Sequence, residues 1–120
     1  MRVLVADESA TLRDGAAQAL QAAGHEVICA EDGLSAWRSS RSQYFDAAFI
    51  SVNLAHLDGL ELLSLWRQHQ VPMGPVVMLT DASAALALRC WMALTPSRPD
   101  LLRKPFAPAL LVDLLESLKS

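Results

Sequence analysis

The sequence predicts an α/β domain with a doubly wound, five-stranded parallel sheet and helices on both faces. Short apolar segments alternate five times with longer segments of helical periodicity, which is typical of parallel strands joined by crossover helices. The apolar segments are almost continuous rather than alternating, which indicates strands buried on both faces. A length of 120 residues suits one domain with one core.

The first two strand–helix units each begin with a short apolar run. Arg2–Ala6 is the first strand, and residues 11–23 form a helix whose apolar residues recur at helical spacing. Gly24 stands where that helix ends, because glycine adopts positive φ without a Cβ clash. The second unit consists of the strand Glu26–Ala30 and a weaker helix over residues 34–42.

The third and fourth units follow the same order. Ala47–Ser51 is a continuous apolar strand, and residues 60–69 form a leucine-rich helix. Proline and glycine then break the chain before the strand Val76–Thr80. Residues 83–94 form the fourth predicted helix.

A proline-containing loop over residues 95–99 leads to the fifth unit. Asp100–Arg103 is a short strand, and the last helix runs from Pro108 to about Lys119. Proline suits the first turn of a helix, where its missing N–H is not needed.

Composition and charge exclude several classes of function. Hydrophobic residues make up 52% of the chain, which is enough for a core. The formal net charge of −3 gives no excess of positive charge for binding nucleic acid. No apolar run approaches the roughly 20 residues of a membrane helix, and Asp7 comes too early for a signal peptide. Cys29 and Cys90 have neither metal-ligand nor disulfide spacing. We therefore expect a reduced, cytoplasmic protein, with residues 1–120 either complete or the N-terminal part of a longer chain.

Polar residues follow the strands at one edge of the predicted sheet. Right-handed crossovers place the strand C-termini together, and function in such folds lies there. Asp7 and Glu8 end the first strand, Ser51 the third and Thr80 the fourth, and Lys104 follows the fifth. We expect these five side chains to share one crevice.

In this order and spacing, five fragments resemble the receiver domain of bacterial response regulators, the CheY-like, flavodoxin-like module of two-component phosphorelay signalling. They are VLVADE (3–8), FDAAFIS (45–51), LDGLEL (57–62), VVMLT (76–80) and LLRKPF (101–106). The resemblance covers nearly the whole chain and implies the strand order 2-1-3-4-5. It also implies a cis peptide before Pro105, which X–Pro bonds permit at low cost.

The resemblance implies a role for each residue at the edge. In that family an aspartate at the position of Ser51 accepts phosphate from a histidine kinase, and an acidic pair holds Mg²⁺ with its help. Asp7 and Glu8 match that pair. Thr80 and Lys104 match the residues that bind the phosphoryl oxygens.

Ser51 departs from the family at the phosphoacceptor position. A carboxylate is ionised at neutral pH and forms a labile acyl phosphate, whereas a serine hydroxyl needs a general base and forms a stable ester. Asp46 lies at the opposite end of the third strand, and Asp58 lies beyond the strand, so neither replaces the missing group. We expect a pseudo-receiver that is not phosphorylated by a histidine kinase, requires no cofactor and binds Mg²⁺ weakly, since Mg²⁺ prefers carboxylate oxygens.

Other positions also depart from the family. Leu101 stands at the switch position, where the family usually has an aromatic side chain that reports phosphorylation. Ala55 replaces a common proline, and the loop over residues 95–99 replaces a usual Gly-Ala pair.

Three other interpretations remain open. Asp7 and Glu8 are also compatible with a solvated strand end. A receiver that still binds Mg²⁺ or a phosphoryl ligand at Asp7, Glu8, Thr80 and Lys104 is the main alternative. A Ser51-dependent hydrolase is the third, because His56 is near Ser51 in sequence. Against it, the sequence around Ser51 lacks a Gly-x-Ser-x-Gly motif.

Isolated histidines and tryptophans have structural explanations. His25 and His69 follow or end predicted helices and are expected at the surface. Trp37 and Trp66 are expected to pack in the core.

The predicted helix over residues 83–94 is apolar on more than one side. Leu88 and Met92 form one stripe, and Trp91 lies on another. Scattered surface apolar residues are common, but a contiguous patch marks a contact surface. In receiver domains the face made by helix 4, strand 5 and helix 5 is a common contact surface. We expect a non-enzymatic signalling module that contacts signalling proteins or a second copy through this face, and neither nucleic acid nor a membrane.

Overall fold

Five parallel strands pair in the order β2-β1-β3-β4-β5. The computed structural model describes residues 1–81 and 100–119. The strands are β1 (Arg2–Ala6), β2 (Glu26–Ala30), β3 (Ala47–Ser51), β4 (Val76–Thr80) and β5 (Asp100–Arg103). The helices of the described part are α1 (Ala10–Ala22), α2 (Gly33–Ser42), α3 (Gly59–Gln68) and the C-terminal helix (Ala109–Lys119). The predicted strand bounds and strand order are confirmed.

Apolar clusters cover both faces of the sheet, as continuous apolar strands require. Alternate strand residues point to opposite faces. One cluster joins β1, β3 and β4 to α2 and α3, and includes Leu4, Ile50, Leu62, Trp66 and Met78. The other joins the same strands to α1 and the C-terminal helix, and includes Val5, Leu20, Phe49, Leu111 and Leu115. Together the two clusters fix the strand ends that carry the candidate site.

Side-chain caps start three helices one residue earlier than predicted. Ser9 Oγ accepts a hydrogen bond from the Leu12 backbone N–H at 3.2 Å, and Asp32 caps α2 in the same way. Asp58 and Glu61 form a capping box at the start of α3. Each cap satisfies a backbone N–H that has no partner within its helix, so the helix begins directly after the cap.

The expected surface position of His25 is wrong. Gly24 has φ +92°, which turns the chain sharply after α1, and His25 is buried with its Nδ1 3.2 Å from the Met1 amino nitrogen. His69 is exposed, as predicted, and its ring lies edge-on to Trp37 at 5.4 Å. Trp66 packs in the core, also as predicted.

Some predictions fall on the rest of the chain. The helix over residues 83–94, the loop over 95–99 and the partner surface at Leu88, Trp91 and Met92 lie outside the described residues. Across residues 1–81 and 100–119, none of the helices has the length and apolar character to cross a membrane.

Candidate functional site

Three buried polar side chains lie at the carboxyl edge of the sheet. Asp7 directly follows β1, Ser51 ends β3 and Thr80 ends β4. The parallel register aligns these strand ends, with Ala6 beside Ile50 and Ser51 beside Leu79. Asp7 is 3% exposed, and Ser51 and Thr80 are each 2% exposed. Burial at this depth requires each polar group to find a partner.

Lys104 links two of these side chains. Its Nζ donates hydrogen bonds to Asp7 Oδ2 at 2.5 Å and to Ser51 Oγ at 3.0 Å. The Lys104 backbone N–H donates to the Thr80 carbonyl oxygen at 2.8 Å, which holds the loop after β5 against the end of β4. The peptide bond between Lys104 and Pro105 is cis, as the resemblance implies.

Asp7 is held by its own loop as well as by Lys104. Its Oδ1 accepts a hydrogen bond from the Ser9 backbone N–H at 2.9 Å, so both carboxylate oxygens are engaged. Arg13 Nη1 donates to the carbonyl oxygens of Asp7 at 2.7 Å and Glu8 at 3.1 Å. These bonds fix the loop between β1 and α1. The sequence reasoning missed Arg13, although it lies one helical turn after the Ser9 cap.

Ser51 is fixed by its backbone as well as its hydroxyl. Its Oγ lies 3.4 Å from the Asn53 carbonyl oxygen, to which it donates while it accepts from Lys104. A Cβ on Gly59 would lie 2.3 Å from the Ser51 carbonyl oxygen, so only glycine permits this approach of α3. The start of α3 therefore packs directly against the end of β3.

Three of the predicted site residues have side chains that are exposed or bonded elsewhere. Glu8 is exposed on the loop after β1. Thr80 Oγ1 donates to the Asp81 carbonyl oxygen at 3.0 Å rather than to a side chain of the pocket. Leu101 lies in β5 with 39% of its surface exposed.

Asp46 and Asp58, the two other acids near β3 in sequence, accept hydrogen bonds from the backbone. Asp46 Oδ2 accepts from the Arg2 backbone N–H at 2.7 Å, at the amino edge of the sheet. Asp58 caps α3. Neither carboxylate lies beside Lys104 in place of an acid at position 51.

Within residues 1–81 and 100–119, the geometry gives Ser51 no general base. An ammonium group donates hydrogen bonds and accepts none, so Lys104 cannot withdraw the Ser51 proton while it is bonded to Asp7. His56 is mostly exposed, and its Nε2 lies 3.9 Å from Asp32 Oδ2. Nucleophilic catalysis requires the base within hydrogen-bond reach of the hydroxyl.

The residues present do not fit a Mg²⁺ site in this arrangement. Mg²⁺ is bound through carboxylate oxygens in near-octahedral geometry. Both oxygens of Asp7 are engaged, Ser51 is neutral and Glu8 is exposed. Among the residues that the structure describes, no group of three or more His, Cys, Asp or Glu side chains is placed to hold a metal ion.

A groove of about 440 Å³ opens onto the Asp7–Lys104 pair. Its walls come from α1 and from the loop after β5, and include Leu12, Phe106 and Pro108. Solvent and small ions therefore reach the pair from this side.

Comparison with known proteins identifies related sequences and folds. The family model described as the response regulator receiver domain matches residues 3–116. The transcriptional regulatory protein PhoP of Escherichia coli K12 is 34% identical over 110 residues, which cover 88% of this chain and 46% of that protein. A virulence transcriptional regulatory protein PhoP of Salmonella typhimurium is 39% identical over 80 residues, or 67% of this chain and 35% of that protein. The chain thus spans less than half the length of these relatives.

Solved structures show the same fold. The receiver domain of the Francisella response regulator 1452 superposes with a TM-score of 0.83 at 25% identity, over 98% of this chain and 94% of that one. The chemotaxis response regulator CheY4 of Vibrio cholerae superposes with a TM-score of 0.82 at 28% identity, over 98% and 97% of the two chains.

Proposed function

The chain belongs to the response regulator receiver domain family of two-component systems, and on that premise we propose that it signals without aspartyl phosphorylation, through protein–protein contacts. A receiver domain that signals in this way is called a pseudo-receiver. The proposal requires no cofactor and no catalytic residue in this chain.

The observation that carries the proposal is the hydroxyl at position 51. Ser51 Oγ is hydrogen-bonded to the Lys104 ammonium in the place where the family has its phosphoacceptor carboxylate. A hydroxyl without a general base does not attack phosphohistidine, and its phosphate ester would not hydrolyse on the time scale of a switch. Asp7, the buried acid nearby, is already paired with Lys104 and Ser9.

The proposed output is a contact with another signalling protein or with a second copy of the chain. Leu88, Trp91 and Met92 give the sequence that precedes β5 an apolar character that suits such a contact. Leu101 in β5 is 39% exposed, which adds an exposed apolar residue from the described part of the chain. The formal net charge of −3 supports a protein partner rather than direct contact with nucleic acid.

Phosphorylation by a small phosphodonor tests the first half of the proposal. The protein is incubated with acetyl phosphate and Mg²⁺, and its intact mass is measured beside those of Ser51→Asp and Ser51→Asn. We expect a phosphorylated species for Ser51→Asp alone, because only that variant supplies a carboxylate at position 51. A phosphorylated parent protein would overturn the proposal.

Sedimentation tests the second half. We expect replacement of Trp91 and Met92 by serine to abolish self-association or partner binding, with replacement of the exposed Tyr44 by serine as the control. Unchanged association of the doubly substituted protein would contradict the proposed surface.

A receiver that still binds a phosphoryl ligand is the second candidate. The observation that favours it is the bond from the Lys104 backbone N–H to the Thr80 carbonyl oxygen, which keeps these two residues together at the pocket. An amide NMR titration with Mg²⁺ and beryllofluoride separates the two functions. This second function would be favoured if beryllofluoride shifts the amide resonances of the parent saturably at Asp7, Glu8, Thr80 and Lys104.

A further inference from the structure

We propose that the Lys104 ammonium is the resident cation of this pocket, and that it takes the place between Asp7 and position 51 where related receivers bind a divalent metal. The inference rests on the proposed function, because it requires an uncharged side chain at position 51. As a consequence, the loops that carry Asp7 and Lys104 keep their arrangement without divalent ions.

The geometry places the ammonium between two ligand positions. In the family, the acidic pair and the phosphoacceptor aspartate hold the metal together. Here Lys104 Nζ bonds to the first acid, Asp7, at 2.5 Å and to the residue at the aspartate position, Ser51, at 3.0 Å. The remaining acid, Glu8, is exposed. A single positive charge therefore bridges the two buried ligand positions.

The charge balance disfavours a metal in addition to the lysine. Asp7 and Lys104 neutralise each other, and Ser51 adds no charge. Mg²⁺ dehydrates reluctantly and needs negative ligands to compensate for lost water. With the ammonium in place, the positive charges of Lys104 and Mg²⁺ repel each other. Mg²⁺ must then either displace Lys104 from Asp7 or remain outside the pair, beside Glu8.

The same bonds connect three loops without a metal. Asp7 is bonded to Ser9, which caps α1, and to Lys104, which follows β5. The Lys104 backbone N–H is bonded to Thr80 at the end of β4. An isolated surface ion pair contributes little, but Asp7 is 4% exposed and Lys104 is 26% exposed at their side chains, so solvent screens this pair less.

Access does not explain the exclusion of metal. The groove beside Leu12 and Phe106 opens onto Asp7 and Lys104. Mg²⁺ can reach the pair, so competition with the ammonium must decide whether it binds.

The first test is a Mg²⁺ titration followed by amide NMR on the parent, Lys104→Met, Ser51→Asp and Arg103→Met. Arg103→Met removes one positive charge from an exposed neighbouring side chain and serves as the matched control. We expect Lys104→Met and Ser51→Asp to bind Mg²⁺ at residues 7–9 and 51–53 at least about tenfold more tightly than the parent, which corresponds to about 1.4 kcal/mol. The control should behave like the parent.

The second test does not need Lys104→Met to fold. A ligand that binds only the folded state raises its melting temperature. We expect Mg²⁺ to raise the melting temperature of Ser51→Asp and to leave that of the parent unchanged. An equal rise in both proteins, or equal Mg²⁺ affinity of the parent and Lys104→Met, would overturn the inference.

The two proposals fail in different ways. If the parent binds Mg²⁺ tightly but is not modified by acetyl phosphate, Lys104 is not the resident cation, and the proposed function remains intact. Phosphorylation of the parent at Ser51 would reject the proposed function itself.

Discussion

The acids at the two edges of the sheet have different partners. At the amino edge, Asp46 Oδ2 accepts from the Arg2 backbone N–H, and the Gly74 backbone N–H donates to the Phe45 carbonyl oxygen. At the carboxyl edge, Asp7 accepts from the Ser9 backbone N–H and also from a side chain, Lys104, which in turn contacts Ser51. An acid that pairs only with backbone belongs to the fold, whereas an acid that also pairs with a side chain depends on which side chains are present.

The difference explains how the fold accommodates a serine at position 51. Ser51 is neutral, so Lys104 and Asp7 still balance each other without it. Loss of a partner at the amino edge would instead leave a backbone group of Arg2, Phe45 or Gly74 unsatisfied, which costs free energy wherever that group is buried. The following predictions test this contrast, from the largest expected effect to the smallest.

Gly74→Ala should be the most damaging change. A Cβ at this position would lie 1.9 Å from the Asp46 carbonyl oxygen and 2.4 Å from the Asp46 carbonyl carbon, so the backbone at the amino edge must move. We expect the free energy of unfolding to fall by about 3 kcal/mol or more in urea titrations.

Gly24→Ala is the control for this change. Nothing lies within 4 Å of its Cβ position, and only its φ of +92° opposes a side chain. We expect a loss of about 1–2 kcal/mol. Equal losses at Gly24 and Gly74 would show that the amino edge is not held by close backbone packing.

Ser51→Asp should lower stability in the absence of metal. A second buried carboxylate would share one ammonium with Asp7, and like charges in one site disfavour each other. We expect a loss of about 1–2 kcal/mol, measured by thermal unfolding in a chelator. Ser51→Asn provides the same volume without the charge and should lose less. Equal melting temperatures of Ser51→Asp and the parent would contradict this reasoning.

Much of the fold could be predicted because burial determines its sequence pattern. Four of the strands are nearly continuous apolar runs, and the sequence predicts the bounds of all five strands. The helix starts were one residue late because apolar periodicity does not register caps such as Ser9 and Asp32. The burial of His25 could not be predicted, since it depends on the turn at Gly24 and on contact with Met1.

The site could be predicted only as a set of neighbours. Strand ends bring Asp7, Ser51 and Thr80 to one edge, and sequence order is enough to show this. Which atoms bond is decided by side-chain geometry. Thr80 bonds to its own neighbour Asp81, and Glu8 remains exposed, although position alone grouped both with Lys104.

Asp46→Ala tests the amino edge with a smaller change. It removes the acceptor of the Arg2 backbone N–H, a partly buried bond of 2.7 Å. We expect the free energy of unfolding to fall by about 1 kcal/mol. Asp46→Asn keeps a side-chain oxygen acceptor and should lose less. If Asp46→Ala has no effect, the acid is not part of the fold at this edge.

Asp32 shows that the partner, rather than the edge, decides what an acid does. It follows β2 at the carboxyl edge, yet its Oδ1 accepts from the Ser35 backbone N–H at 2.7 Å, as Asp46 accepts from backbone at the other edge. That bond is the main reason that the pKa of Asp32 is lowered, with His56 and Arg38 as smaller causes.

A lowered folded-state pKa gives Asp32 a stabilising contribution that is present above its unfolded pKa of about 4. The contribution is lost as the pH falls through the folded-state value. Asp32→Asn keeps the cap and loses this dependence, so the difference in unfolding free energy between parent and variant should shrink as the pH falls below about 4. Parallel acid-unfolding curves would show that the charge of Asp32 does not strengthen its cap. An acid at the carboxyl edge would then serve the fold through hydrogen bonding alone, whereas Asp7 holds Lys104 through its charge.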